Sequence, residues 1–423
     1  MSSPQHEYDV LIMGAGMVGS ALACGLSGQG LRIAIVDPVA VDRIQQNDSP
    51  RIRVSAVSYA SEQILKNIGA WSLMDPERCC PYRFLAVNEM HAKKGLAAHL
   101  PDISRWARTE FGATELNLPH LGHIIENDLV QSALHELMES RSDISVFCPA
   151  SIGRLYLSGE TKGVEIDDGV SLSAPLVIGA EGANSVVRNQ AGIPQYREQY
   201  AQQAFVCTVA YDGGQQDITW QSFTPQGPRA FLPLSRIADT SYASLVWYDS
   251  PETVSKLKSL EKEELILRIR EGFPSSLPPI RDIVEKASFP LYKSHAKTYV
   301  KPGIALVGDA AHTINPLAGQ GVNLGFMDAA VLAEVLVRAH YQDRDLSSLA
   351  VLHDYEHRRR KENATMMRAM DAFYYGFSNA LLPARIVRNI GLGLANHSGL
   401  LKQFVLKQAV GLSTEAPRLA KVT

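Results

Sequence analysis

No stretch of this chain is apolar for long enough to cross a bilayer. Runs such as 304–307 fall far short of the ~20 residues a spanning helix needs. The opening residues hold no basic segment followed by an apolar one, so no secretory signal is expected. Cysteine is scarce: five in 423 residues, at 24, 79, 80, 148 and 207, with neither metal nor disulfide spacing, and an odd count that fits a reducing compartment. An excess of one charge is lacking too, and a net −3 gives no bulk electrostatic reason to expect nucleic acid. H-E-x-x-H and G-x-S-x-G are both absent, which leaves the common zinc-protease motif and serine-hydrolase chemistry without support. So are a redox C-x-x-C and a second glycine fingerprint, the marks of a two-nucleotide disulfide reductase. No internal repeat is evident.

What is present begins with a fingerprint. Tyr8 to Met13 read as a buried strand, because apolar residues run on rather than alternate. Gly14-Ala15-Gly16-Met17-Val18-Gly19 follows, then a helix to about Ser27 and a second strand, Arg32 to Val36, ending at Asp37. Alone, G-x-G-x-x-G is weak; strand, turn, helix, strand and terminal acid together specify a bound dinucleotide. Gly14 permits the tight turn, Gly16 lets the backbone approach a pyrophosphate, and Gly19 lets the helix pack closely. Asp37 would accept ribose hydroxyls. Its charge argues against a 2′-phosphate here, so FAD or NAD suits the pocket better than NADP.

A second small-residue site lies a whole domain later. Ile304 to Val307 read as a strand that Gly308-Asp309 ends; Gly319, Gln320 and Gly321 form a turn, and a helix begins near Val322. A carboxylate, Asp309, thus stands at a strand end, and the amides of 319–323 stand at a helix start. One extended cofactor could touch both sites, its adenosine half on Gly14 to Asp37, a central hydroxyl on Asp309, and its redox ring on the amides. FAD has that shape, and a helix N-terminus beside the ring would favour the anionic reduced form. His312, although close to Asp309, is not by itself evidence of a general base.

Between the two sites, 84–118 read as short strands that can belong to a second domain, and Leu176 to Gly182 as a strand returning to the first. Arg188 could serve an incoming phosphate or be a plain surface arginine. Residues 200–290 carry aromatic strands with Gly, Asp and Pro turns, a mostly antiparallel sheet, and then a polar helix over 254–271. Trp220, Phe223, Phe231 and Trp247 are candidates for a pocket wall, with core packing the stronger alternative for any one of them. His357 to Lys361 read as a solvated basic face on a long helix, an anionic membrane surface or a partner being the sharper alternative. The aromatic stretch 372–413 fits core, oligomer interface or shallow membrane contact alike, and the tail after Ser413 is expected to fray.

Taken together, Gly14 to Gly19, Arg51 to Ala56, Gly179 to Ser185 and Gly308 to Asn323 resemble the flavoprotein aromatic hydroxylases related to para-hydroxybenzoate hydroxylase. Thr224 to Leu234, Ser244 to Ser250 and Phe373 to Asn379 resemble the ubiquinone-biosynthesis branch of that family. The resemblance, which covers nearly the whole chain, implies an α/β fold: a Rossmann-like FAD-binding domain with an inserted, mostly antiparallel β-sheet substrate domain and a helical C-terminal region. The implied divisions are 1–185 for the first part of the FAD domain (84–118 contributing to the substrate domain), 186–290, 291–345 and 346–423.

The implied activity is an NAD(P)H- and O2-using FAD monooxygenase that hydroxylates a polyprenyl benzoquinol ring through a C4a-hydroperoxyflavin. The implied substrate is 2-polyprenyl-3-methyl-6-methoxy-1,4-benzoquinol; another ring position, or a flavin oxidase or dehydrogenase without oxygen insertion, are the alternatives. FAD would lie on Gly14, Gly16, Gly19, Asp37, Arg53, Asp309, Gly321, Val322 and Asn323. Pro316, Gly319, Gln320 and Gly321 would position its ring, with no acid or base assigned and no metal. Glu181 stands where relatives usually have aspartate, which keeps the charge and shifts its reach. Implied partners are the quinol, a ubiquinone-biosynthesis protein complex, a second copy of the chain, and the inner-membrane surface of an otherwise cytoplasmic protein. Residues 372–412 are the candidate contact, and truncation after 370 is expected to spare flavin binding.

Overall fold

The computed structural model describes residues 7–45, 48–89, 108–159, 161–315, 321–377, 399–412 and 415–422. The strands Val10–Met13, Ile33–Val36 and Leu176–Gly179 are buried at every position, as parallel strands are when helices cover both faces. They belong to a six-stranded sheet ordered Val300–Lys301, Ile304–Leu306, Leu176–Gly179, Val10–Met13, Ile33–Val36, Ile144–Phe147. Every neighbouring pair is parallel except the first. Helices Met17–Leu26, Asn127–Glu139 and Gly321–Tyr341 supply Leu22, Leu26, Leu134, Leu332 and Leu336 to its core, all fully buried.

An eight-stranded sheet follows, ordered His312–Thr313, Ile280–Ala296, Gln195–Tyr211, Thr240–Asp249, Arg229–Ile237, Ile218–Phe223, Phe84–Glu89, Thr109–Gly112. Phe84–Glu89 reaches it from early in the chain and pairs in parallel with Ile218–Phe223. The polar helix expected over 254–271 is two, Pro251–Ser259 and Lys262–Gly272. Their apolar residues Val254, Leu257, Leu265 and Ile269 cover one face of the sheet together with Phe273.

That covered face takes the aromatic residues expected to wall a pocket. Trp220 stacks on Phe231 at 5.6 Å and 8°, and Trp247 meets Phe273 edge-on at 5.6 Å, all within one helix-covered core. Phe223 is buried at the strand end, in register with Glu89. The reason is parity: residues on both faces of these strands are buried, so alternation does not reveal which face the helices will cover. Trp220→Ala is therefore expected to cost about 3–5 kcal/mol of stability, read as a lowered urea midpoint; an unchanged midpoint would contradict the core placement.

The helix Leu349–Phe377 packs on Gly321–Tyr341, and the helix Gly399–Ala409 buries Leu406, followed by Val410, among Ala56, Tyr82 and Leu121. The tail is pinned rather than frayed. Ala420 is buried, Asn67 Nδ2 donates at 2.8 Å to the carbonyls of Leu419 and Lys421, and the Arg418 N–H donates to Glu334 at 2.8 Å. Truncation after 370 would thus uncover core at Leu406, Val410 and Ala420, so the expectation that it spares flavin binding does not stand. Residues 378–398 lie outside the described residues, and with them Leu381, Leu382 and Ile386 of the stretch read as a membrane or partner contact; of its aromatic residues, Tyr374 is buried against Tyr200.

Candidate functional site

Three turns stand side by side at the C-terminal ends of parallel strands, where open α/β sheets take their ligands. Met13 is opposite Gly179, and Gly179 is opposite Leu306. The Gly14 N–H donates to Val36 O at 2.7 Å, Ala180 N–H to Met13 O at 2.7 Å, and Val307 N–H to Gly179 O at 3.0 Å. The strand register thereby brings 14–19, 180–185 and 308–310 together from distant parts of the chain.

In the first turn Gly14 has φ +106°, and a Cβ there would meet the Ala180 carbonyl oxygen at 2.5 Å. A Cβ on Gly19 would meet the Gly14 carbonyl oxygen at 1.9 Å, so helix and turn touch backbone to backbone. Gly16 is different, for nothing lies within 4 Å of its Cβ direction. Asp37 accepts N–H bonds from Ala15 and Val39, each at 2.8 Å, and keeps lone pairs for hydroxyl donors.

The second turn is tied into the frame. Glu181 accepts from the Ser185 hydroxyl at 2.7 Å and the Val187 N–H at 2.8 Å, capping the short helix Val186–Gln190; burial pushes its carboxyl pKa up. Arg188, read as a phosphate ligand or a plain surface arginine, is no surface residue. It is buried and donates at 2.9 Å to both Ala310 O and Ala183 O, stitching the second turn to the third, while its Nε is left without a partner.

In the third turn Asp309 is solvent-accessible, and the protein packed around it raises its carboxyl pKa, a push that His312 and Arg53 partly offset. Arg53, exposed just before the strand Val54–Ser58, is close enough to act on that carboxylate. The turn itself hangs on Asp328, a fully buried acid of the helix Gly321–Tyr341. Asp328 accepts from Gly308 N–H at 3.0 Å, His312 Nε2 at 2.5 Å, Arg359 Nε at 2.7 Å and Asn363 Nδ2 at 3.0 Å. Burial alone would raise its pKa, but the His312 and Arg359 charges and these hydrogen bonds outweigh that and hold it at about 2.

Asn323, expected at the cofactor, spends its side chain elsewhere: Oδ1 accepts from Ser58 N–H at 2.9 Å and Nδ2 donates to Ala56 O at 2.8 Å. It locks the helix start to the strand that follows Arg53. Val322 is half-buried against the core, and Gly321 opens the helix with nothing within 4 Å of its Cβ direction. Pro316, Gly319 and Gln320 lie outside the described residues. Asp328, Arg359 and Asn363 were not singled out from the sequence. One signal was available, since Asp328 is the single charged residue between Gly321 and Glu334 in an otherwise apolar helix.

These residues fit a cofactor rich in phosphate and hydroxyl groups. Gly16 and Gly321 leave room where backbone would approach it. Asn315, 1% exposed, has neither amide oxygen nor nitrogen partnered, an arrangement that costs about 1–3 kcal/mol per group unless a bound molecule meets it. Beyond the strand Val54–Ser58 lies a small, mostly apolar cavity of about 30 Å³, bordered by Ala56, Leu85, Thr219, Gln221, Leu232 and Leu406. Its wall residue Ala56 is the one whose carbonyl Asn323 holds, so cavity and cofactor turns share a strand. The cavity faces the side of the sheet opposite the Phe231 core; among the described residues only Trp220 borders both.

A family model described as "FAD binding domain" matches residues 156–370. The chain is 42% identical over 404 residues to the 3-demethoxyubiquinol 3-hydroxylase of Escherichia coli K12, covering 96% of this chain and 98% of that protein. It is 32% identical to the ubiquinone hydroxylase UbiL of Rhodospirillum rubrum, covering 99% and 94%. Among solved structures it resembles p-nitrophenol 4-monooxygenase PnpA of Pseudomonas putida, with TM-score 0.75, 17% identity, and 95% and 98% of the two chains covered. HpxO of Klebsiella pneumoniae complexed with FAD superposes with TM-score 0.69 at 17% identity, covering 96% and 100%. At such identities these likenesses are of fold.

Proposed function

The chain belongs to the FAD-dependent hydroxylase family that includes the ubiquinone hydroxylases, and from that membership we propose that it hydroxylates a polyprenyl benzoquinol ring, that of 2-polyprenyl-3-methyl-6-methoxy-1,4-benzoquinol. The observation that carries the substrate is the 42% identity along 98% of a 3-demethoxyubiquinol 3-hydroxylase. FAD, when bound, accepts hydride from NAD(P)H and activates O2 for transfer of one oxygen atom to the ring.

The remaining work falls to the chain. The turn at Gly16 and the carboxylate of Asp37 would hold the adenosine end, Arg53 would offset phosphate charge, and Asp309 would accept a hydroxyl of the linking chain. The positive end of the helix that begins at Gly321 would favour the anionic reduced form of the redox ring. Leu85, Leu232 and Leu406 keep water from the reacting ring, with Thr219 and Gln221 as polar contacts that orient a quinol. A quinol ring is already activated by its hydroxyls, so no acid or base residue is required.

A cavity of about 30 Å³ holds about one water, so substrate entry requires the cap formed by Gly399–Ala409 to lift. The polyprenyl tail partitions into membrane, and among the described residues no helix is long and apolar enough to cross one. Peripheral contact at a membrane surface, or delivery by a partner protein, reconciles the two. Quinone mass profiling of cells lacking the gene tests the ring position. Accumulation of the demethoxy precursor, relieved by restoring the gene, is expected; accumulation of a different precursor would reassign the position.

A further inference from the structure

We propose that Glu62, His120 and His123 form a binding site for one divalent transition-metal ion of the zinc class. The inference does not depend on the hydroxylase reading. Glu62 lies on the helix Tyr59–Ile68, and the two histidines flank Leu121 and Gly122, where the chain enters the strand Gly122–Glu126. One ligand atom from each of the three falls within 4.8 Å of the others. Among the described residues, no other three His, Cys, Asp or Glu side chains converge in this way.

The donor set selects the ion. Two imidazoles and one carboxylate suit zinc with a fourth position left to water, whereas magnesium and calcium prefer oxygen ligands. Ligand atoms about 2.0–2.2 Å from such an ion stand about 3.3 Å from one another in a tetrahedron. Glu62 Oε2 lies 3.2 Å from His123 Nδ1 and 2.6 Å from His120 Nε2. The first spacing already suits an ion. The second is a hydrogen bond that the ion would replace, widening it by about 0.7 Å.

A cluster built only to satisfy its own members would leave no orphan. Here one remains: His123 Nδ1 is buried without a hydrogen-bond partner, because the ring, although near Glu62 Oε2, is not aligned to share a proton with it. Ring packing fixes the donors in place. His120 and His123 meet edge-on at 4.4 Å, Tyr59 lies 5.7 Å from His120, and Trp71 lies 5.0 Å from His123. Burial alone would raise the Glu62 pKa, but the two histidines and Lys66 outweigh it and keep the carboxylate ionised. Lys66 Nζ takes the other oxygen, Oε1, at 2.6 Å, which leaves Oε2 to the ion and orients the ligand from outside. The side chain of His120 is partly exposed, so an ion has a path in from solvent.

The site borders the small cavity described above. Leu121, between the two histidines, lines it, and His123 pairs with Val57 in the strand that supplies Ala56 to the same wall. A bound ion would therefore tie helix, loop and strand together at one edge of that cavity.

The test uses the FAD-loaded full chain, treated with a chelator and then titrated with Zn2+ alone. One ion per chain is expected, together with a rise in thermal midpoint. In Glu62→Gln, His120→Ala and His123→Ala the affinity should fall by at least about tenfold, and the rise in midpoint should vanish. His120 is the least buried of the three, so its variant keeps the question decidable if the other two do not fold. Co2+ should give a tetrahedral absorption band at wavelengths beyond the flavin's, lost in the same variants. Surface histidines are the rival explanation. His353→Ala/His357→Ala removes an exposed pair beside Glu356 and should bind Zn2+ as the wild type does. Unchanged affinity in His120→Ala, loss confined to the surface double variant, or no saturable Zn2+ binding by the wild type overturns the proposal.

Discussion

Asp328→Ala is expected to lower stability by about 3–5 kcal/mol and to yield protein stripped of most of its flavin. The carboxylate accepts four hydrogen bonds in a site with no solvent exposure. Truncating it leaves the buried Arg359 guanidinium without its main counter-charge and frees the Gly308 N–H that fixes the Asp309 turn. The stability cost and the flavin loss should therefore appear together. Adding Arg359→Leu to Asp328→Asn should recover part of the stability, because the uncompensated cation is gone, without recovering flavin.

The sign of the pH dependence follows from the same group. The Asp328 pKa is depressed from 3.8 to about 2, so its contribution is complete above its unfolded value and is lost as pH falls through the folded one. The gap in thermal midpoint between wild type and Asp328→Ala should hold from neutral pH to about 4 and close only below it. A variant that keeps its flavin and its midpoint would show that the turn does not depend on this acid.

The second large effect separates two glycines of one motif. Gly19→Ala should give chain that neither folds normally nor takes up FAD, since its methyl would sit 1.9 Å from the Gly14 carbonyl oxygen and 3.1 Å from the Ala180 Cβ. Neither neighbour is the flexible end of a side chain, so helix and strand must part. Gly16→Ala meets no protein atom within 4 Å and should fold with a midpoint near that of the wild type. Its flavin affinity should still fall, on the order of tenfold, because the methyl occupies space that a pyrophosphate needs. Flavin affinity in refolded Gly16→Ala equal to the wild type would remove the cofactor from that turn.

The first glycine turn was legible because the chain makes it locally: strand, glycine turn, helix and Asp37 follow one another within a single βαβ unit. Asp309 was legible for the same reason, as an acid where an apolar strand stops. The clamp on Asp309 was not. Asp328 and Arg359 lie on two helices, and Arg359 sits inside a basic run whose members look alike in sequence although one pairs at the surface, one is buried and one lines a cleft. Trp220, Phe231 and Trp247 were visible as strand residues, but the face they take is set by where Pro251–Ser259 and Lys262–Gly272 land, a long-range choice that strand alternation does not encode. The pinned tail escaped for a similar reason: Asn67 and Glu334, which hold it, are far away in the chain.

The most direct test of the central claim is oxygen incorporation by the purified, FAD-loaded protein, given NAD(P)H, the short-chain form of 2-polyprenyl-3-methyl-6-methoxy-1,4-benzoquinol and isotopically heavy O2. The account predicts a product carrying one heavy oxygen on the ring, formed in step with NAD(P)H consumption, and little peroxide. Peroxide equal to the NAD(P)H consumed, with an unmodified ring, would contradict it and make this protein a flavin oxidase on a hydroxylase fold.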